Sequence, residues 1–375
     1  TITGRNVGLS EINSWRQSLL QMGFVLTDEE IPADSIISIE YHIPQTSKRI
    51  DFIITGEDEY NYENVVVIEL KQWTSAELTE KDGIVKTRFK SGVHETAHPS
   101  YQAWSYCSLL KNFNETVYQE RISLNPCAYL HNYDEDKVIK NSFYDRHLEM
   151  APIFLKKDAL ELRDFIKKFI KYGDSKNTMY RIDNGKIKPS KNLADSLASM
   201  IKGNEEFTMI DEQKIVYENA IFLANKSTAL NKNVLIIEGG PGTGKTVVAI
   251  NLLVQLTKLG KVTKYVTKNA APRTVYESKL TGTIKKTEIS NLFTGSGAFT
   301  SQDHNSFDSL IVDEAHRLNE KSGMFQNLGE NQVKEIIQAA KFSIFFIDED
   351  QKVTFKDIGT KEEIKKWARS CNAHV

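Results

Sequence analysis

The sequence predicts an α/β protein built from two sheet domains, a mixed sheet in the first half of the chain and a parallel sheet in the second. Two observations carry this. Between residues 36 and 70, strand-like runs are separated by an acidic, turn-like segment. From residue 231 onward, short apolar runs at 234–238, 262–267, 309–312 and 342–347 alternate with helical segments, and strands of that kind lie in parallel sheets covered on both faces.

Taken in order, residues 11–22 carry Ile12, Trp15, Leu19 and Leu20 at helical spacing, with Gly23 placed to stop the helix. Strands are expected at 36–43 and 49–55, a turn-like segment at 56–64 and an apolar run at 65–70. Pro99 sits where a helix through Lys111 can begin. Residues 155–205 are Lys-rich, with helical patches at 158–172 and 192–202 around a polar, Gly-containing stretch at 173–190, and the domain boundary is expected there.

The 375 residues are 40% hydrophobic and 26% charged, ordinary globular material with room for two or three cores, which excludes collagen-like, mucin-like and wholly disordered chains. No run approaches the ~20 apolar residues of a membrane span, and residues 1–10 lack a basic region leading into an apolar run. A cytoplasmic protein without membrane partners is expected. Cys107, Cys127 and Cys371 are odd in number and widely spaced, which fits inert thiols better than a disulfide framework or a zinc cluster. The net charge of −2 hides an asymmetry: residues 1–150 carry 14 Lys+Arg against 23 Asp+Glu, and the remainder 34 against 27. An acidic first half suits a carboxylate metal site and a basic second half suits phosphate ligands, although solvated charged faces give the same count.

Gly239, Gly240, Pro241, Gly242, Thr243, Gly244, Lys245 and Thr246 match G-x-x-x-x-G-K-[ST] in full, directly after a strand candidate and directly before a helical segment at 247–259 that Gly260 can end. The glycines let backbone N–H groups turn toward phosphate oxygens, Lys245 reaches the β- and γ-phosphates, and Thr246 ligates Mg²⁺. Asp313 and Glu314 follow the apolar strand 310–312, at the carboxyl edge where parallel sheets bind ligands. Asp313 is expected to hold the Mg²⁺ and Glu314 to orient or deprotonate the attacking water. An acidic pair after a strand is otherwise a helix N-cap, but beside a phosphate loop the metal reading is preferred. Gln351, after the strand 342–347, is placed to sense the γ-phosphate, with an ordinary solvated Gln as the competing reading.

This set resembles the first RecA-like domain of a superfamily 1 helicase, close to the Schlafen-type group and its bacterial relatives. The resemblance implies ATP and Mg²⁺ as cofactors and nucleic acid as partner. It gives Gln213 the part of an adenine-reading glutamine, and makes Thr267, Lys268 and Asn269 contacts to single-stranded nucleic acid. Without it, a surface Gln on an amphipathic helix is the preferred reading of Gln213, and a polar strand end explains Thr267, Lys268 and Asn269 about as well. Such helicases carry a second RecA-like domain with an arginine finger, whereas only 24 residues follow Gln351 and the chain begins at Thr1. A fragment is therefore expected, with a homo-oligomer or a partner supplying the second domain.

In the first half, Asp51 lies on one strand candidate and Glu69 and Lys71 on the next. Side chains alternate along a strand, so Glu69 and Lys71 share the face of Val65 and Val67, while Val66, Ile68 and Leu70 take the other. Charges beside apolar residues are costly to bury unless they converge on something, such as a divalent cation that activates a water for phosphodiester cleavage. An ordinary cross-strand ion pair is the bland alternative. The D…E-x-K arrangement resembles the PD-(D/E)XK nuclease superfamily, with Ile50 in place of the usual Pro. Gln102 and Tyr106, four apart on one helix face, resemble the Q-x-x-x-Y element of RecB-like nucleases. Glu40, on an adjacent strand candidate, is a candidate extra metal ligand, with an ordinary exposed strand residue at least as good a reading, and Mn²⁺ can replace Mg²⁺ at such a site.

The expected organisation is a PD-(D/E)XK-like nuclease domain at 1–150, a helical connector at 151–205 and a RecA-like P-loop ATPase domain at 206–375. The expected function is Mg²⁺-dependent endo- or exonucleolytic cleavage of nucleic acid, DNA in preference to RNA, coupled to ATP hydrolysis. The resemblance implies defence against foreign DNA or repair, and no residue chooses between them. The rivals are an ATP-gated nucleic-acid sensor that cuts nothing and a P-loop kinase or transferase. The pair Asp313 and Glu314, suited to water activation, speaks against the last.

Overall fold

In the computed structural model the described residues are 9–375 without 45, 47, 136, 189, 191–192, 203, 205, 282–288, 290, 324–326, 352–353 and 355–356, and without the side chains of 9–14 and 194. Residues 1–8, read above for a leader, the Ile12 side chain, and positions 189, 191, 192, 203 and 205 of the expected 155–205 region lie outside this set. The chain falls into two compact units, Thr1–Ser190 with Ile210–Glu212, and Lys191–Met209 with Gln213–Val375. The expected connector is divided between them.

The first unit opens with the helix Leu9–Leu26. Gly23 does not stop it. A glycine inside a helix costs about 1 kcal/mol, whereas its neighbours Met22 and Val25 are fully buried, worth about 1.5–3 kcal/mol each. Three antiparallel strands follow, β1 (Ile36–His42), β2 (Arg49–Glu57) and β3 (Glu63–Lys71). The β2–β3 turn is tighter than the 56–64 segment expected, because the Asp58 carboxylate accepts from the N–H groups of Tyr60 and Tyr62, both at 2.9 Å. A small separate antiparallel sheet, β4 (Ala76–Glu77), β5 (Ile84–Phe89) and β6 (Gly92–Ala97), leads into the helix Pro99–Phe113. His98 caps that helix, its ring accepting from the Ser100 N–H, and Pro99 occupies the first turn, where no N–H is needed. β7 (Ser123–Leu130) then pairs parallel with β3, and β8 (Ile153–Leu155) parallel with β7, giving the order β1-β2-β3-β7-β8. Alternation sorts the residues of β3: Val65 and Val67 pack with Tyr106, Cys107 and Leu110 of the helix Pro99–Phe113, and Val66 and Ile68 pack with Leu162 and Ile166 of the helix Ala159–Phe169.

The second unit contains a six-stranded parallel sheet of β9 (Lys232–Glu238), β10 (Thr263–Thr267), β11 (Phe293–Gly295), β12 (Phe307–Asp313), β13 (Ala340–Ile347) and β14 (Ala373–His374). Its order is β11-β10-β12-β13-β9-β14. Both faces are buried, with Ile311, Ile344 and Phe346 on one side and Leu310, Val312, Phe345 and Ile347 on the other, which explains why the central strands read as unbroken apolar runs. The protein is α/β as expected, and the parallel sheet is consistent with a RecA-like domain. Among the described residues no helix is long and apolar enough to cross a membrane.

Candidate functional site

In the second unit the phosphate loop leaves β9 and enters the helix Lys245–Lys258. Gly242 and Gly244 have φ of +72° and +83°, a region that side chains avoid, and a Cβ at Gly244 would lie 2.4 Å from the Gln213 amide nitrogen. Gln213 donates to the Thr243 carbonyl at 2.9 Å. Within the loop, the Thr243 hydroxyl donates to the Gly240 carbonyl at 2.9 Å, and Gly239 donates its N–H to Ile347 on β13 at 3.2 Å. The Lys245 ammonium folds back onto the Gly239 and Gly240 carbonyls at 2.5 and 2.6 Å, with Asp348 at 3.5 Å. Pro241 is exposed at the tip.

β12 ends at Asp313. One of its oxygens accepts the Thr246 hydroxyl at 2.8 Å and the buried Tyr265 hydroxyl at 2.6 Å, and the other accepts the Glu314 N–H at 2.9 Å. The loop hydroxyl and the strand carboxylate are thus already side by side, a donor set that fits the hard, oxygen-seeking Mg²⁺ of a nucleotide. Glu314 adopts a left-handed backbone, φ +51°. Burial, and then the charge of Asp313, raise its carboxyl above the usual range. Strain and a raised pKa together are common where a carboxylate handles a proton. Gln351 is exposed in the short turn Glu349–Gln351 after β13. Of the expected nucleic-acid contacts, Thr267 is buried, Asn269 caps the helix Ala270–Leu280, and Lys268 binds Asn319 at 2.9 Å and Asp357 at 3.1 Å.

In the first unit, Asp51 on β2 and Glu69 and Lys71 on β3 gather at the end of the sheet facing the helix Pro99–Phe113. Asp51 accepts the Leu70 N–H at 2.8 Å, and the Lys71 ammonium lies 2.5 Å from Glu69. Glu69 is only 2% exposed, and its second oxygen, Oε2, is buried without a hydrogen-bond partner. Burial raises both carboxyls, Glu69 strongly and with the charge of Asp51 adding to it. Burial opposes the charge on Lys71, yet Glu69 and Asp51 more than offset this and hold its pKa above the usual value. Gln102 donates to the Tyr106 hydroxyl at 2.9 Å. Glu40 pairs with Arg49 at 3.5 Å from a left-handed backbone, φ +53°.

Two residues that sequence reasoning missed join this cluster. Asp211 accepts the Tyr106 hydroxyl at 2.7 Å and lies 3.0 Å from the Lys48 ammonium. Asp211 stands 105 residues from Tyr106, so no spacing rule connects them. Asp51, Glu69 and Asp211 thus lie with Lys71 and Lys48, and the buried, orphaned Glu69 oxygen fits a cation. Among the described residues no three His, Cys, Asp or Glu side chains are arranged to hold a metal ion. A carboxylate pair suits Mg²⁺, which keeps several waters and uses one or two protein carboxylates plus substrate phosphate.

The parallel sheet, the phosphate loop and Asp313 define a P-loop nucleotide-binding domain. Residues 232–375 match the family model described as Schlafen group 3, DNA/RNA helicase domain. That similarity supports a Schlafen-type helicase relationship for this part of the chain, and with it an ATP-hydrolysing function on nucleic acid. No curated protein matches the chain.

Proposed function

We propose that the protein is an ATP-dependent nuclease: a PD-(D/E)XK-like domain, formed by the first unit, cleaves nucleic acid with Mg²⁺ or Mn²⁺, and a RecA-like domain, formed by the second, hydrolyses ATP. Gln213, the phosphate loop, Thr246, Asp313 and Gln351 bind Mg·ATP, and Glu314 activates water. Asp51 and Glu69 hold the divalent cation of the nuclease site, which supplies a Lewis acid and an activated water when bound. Lys71 neutralises charge on the phosphate, and Gln102 and Tyr106 line the site. The observation that carries the nuclease reading is the buried Glu69 carboxyl, set against Lys71 and beside Asp51 yet with Oε2 unpartnered. A purely structural ion pair gains nothing from an orphaned oxygen. DNA is the preferred substrate, in defence or repair.

The test is cleavage of labelled DNA and RNA with Mg²⁺, with and without ATP, by the full chain and by Glu69→Ala. Cleavage lost in the variant with ATP hydrolysis intact is the expected result. The Lys71–Glu69 pair at 2.5 Å favours one second reading, an ATP-gated sensor with a structural ion pair, and equal absence of cleavage in both proteins selects it.

A further inference from the structure

Asp211 breaks two local rules. Its backbone has φ +39°, and the residue is 9% exposed with one carboxylate oxygen, Oδ1, lacking any hydrogen-bond partner. Both features oppose folding, and residues kept against folding are concentrated at functional sites. The other oxygen sits between the Tyr106 hydroxyl at 2.7 Å and the Lys48 ammonium at 3.0 Å, and Lys48 also bonds Glu212.

The chemistry of this chain has a direction. A carboxylate only accepts, so the Tyr106 hydroxyl must give its hydrogen to Asp211. The phenol oxygen then has only lone pairs to offer on its other side. Gln102 must turn its NH₂ group toward Tyr106, as the 2.9 Å bond from Nε2 records, and its carbonyl oxygen away. Tyr106 is buried, whereas Gln102 is half-buried. The Asp211 carboxylate therefore decides which end of the Gln102 amide turns toward Tyr106 and which turns away from it.

We propose that Asp211 is a positioning residue of the first unit's site, fixing through Tyr106 the polarity of the Gln102 amide so that its carbonyl oxygen accepts a hydrogen bond from the attacking water. The proposal rests on the nuclease reading above for the identity of that water. Lys48 pairs with the Asp211 carboxylate at 3.0 Å.

The experiment uses the full chain with Asp211→Asn, Gln102→Glu and the double variant. Asparagine tolerates the left-handed backbone, but its NH₂ group can donate to Tyr106 and release the phenol hydrogen toward Gln102. Glu at 102 needs that hydrogen, and in the presence of Asp211 two carboxylates compete for it. Each single variant is expected to lower kcat for Mg²⁺-dependent cleavage at least about tenfold with KM within about threefold, while the double variant recovers most of the loss. A double variant no better than the worse single, or wild-type kcat in Asp211→Asn, overturns the proposal. The Gln102 side-chain amide resonance in glutamine-labelled protein reads the relay without any cleavage: Asp211→Asn and Tyr106→Phe must both shift it, and an unmoved signal also overturns the proposal. If both variants shift the signal but the wild type cuts nothing, the relay stands and the nuclease reading falls.

Discussion

The Thr246 hydroxyl donates to the Asp313 carboxylate at 2.8 Å, which joins the first turn of the phosphate-loop helix to the end of β12, two strands away from β9 in the sheet. This contact places both oxygens where one cation can take them. Lys245→Ala and Thr246→Ala are each expected to weaken Mg·ATP binding at least about tenfold, or ~1.4 kcal/mol, with the fold retained. Equilibrium titration with a fluorescent ATP analogue checks this, and unchanged affinity in Lys245→Ala removes the nucleotide assignment. Asp313→Ala has a second effect, because it strands the buried Tyr265 hydroxyl, at a cost of about 1–3 kcal/mol. Asp313→Asn keeps an acceptor for Tyr265 and isolates the loss of the metal ligand.

Glu314→Gln is expected to keep ATP affinity and lose turnover by about 10²- to 10⁴-fold, since the metal ligand Asp313 remains and only the proton acceptor goes. The raised carboxyl pKa gives the wild type a pH signature. A base must be ionised, so ATP hydrolysis should fall as pH drops through a value above the ordinary glutamate range. Steady-state rates across pH, with Glu314→Gln as control, measure this. Full turnover in the variant would leave Glu314 a strained turn residue and nothing more.

The parts legible in the sequence are those whose logic is local. The phosphate loop is eight consecutive residues between a strand and a helix, and the placement of Glu69 and Lys71 with Val65 and Val67 follows from strand alternation alone. Asp211 and Lys48 were illegible because what matters about them is a tertiary partner far along the chain. The β4–β6 sheet was missed for another reason: its buried apolar residues are confined to Ile84, Val85 and Ala97, while Arg88, Phe89, Gly92, Val93 and His94 are exposed, so neither β5 nor β6 shows a clean alternation. Gly23 misled because burial of its neighbours outweighs a glycine's helix penalty.

His98 links stability to pH. The neutral ring is satisfied on both nitrogens, with Nε2 bonding the Ile139 carbonyl at 2.9 Å and Nδ1 accepting the Ser100 N–H at 3.3 Å. A second proton on Nδ1 would point at that N–H, and the ring is pushed down to about 4, chiefly by burial. The unfolded chain takes up the proton near pH 6.5 and the folded chain only near 4. Stability therefore falls as pH drops between those values, by on the order of 3 kcal/mol in all. His98→Asn, which can still cap the helix, should flatten this part of the curve in chemical denaturation followed at pH 4, 5, 6 and 7. An equally steep decline in the variant would assign the acid sensitivity to other groups.

The raised carboxyls of Asp51 and Glu69 act with the opposite sign. A carboxyl whose pKa is higher folded than unfolded holds its proton more tightly in the folded protein, so its contribution to stability is present at acid pH and is lost as pH rises through the raised value. Without metal the first unit thus holds two buried carboxyls whose charged forms are disfavoured. Mg²⁺ or Mn²⁺ binds only the folded arrangement and should raise the melting temperature with increasing concentration, more at pH 8 than at pH 5, where protons compete. Glu69→Gln removes one of the three carboxylates, leaving Asp51 and Asp211 against Lys71 and Lys48. That variant is expected to be as stable as the wild type without metal, or more so, and to show no metal-dependent rise in melting temperature and no cleavage. A loss of several degrees in metal-free Glu69→Gln would mean that Glu69 is held by Lys71 for folding alone, and the metal assignment would go with it.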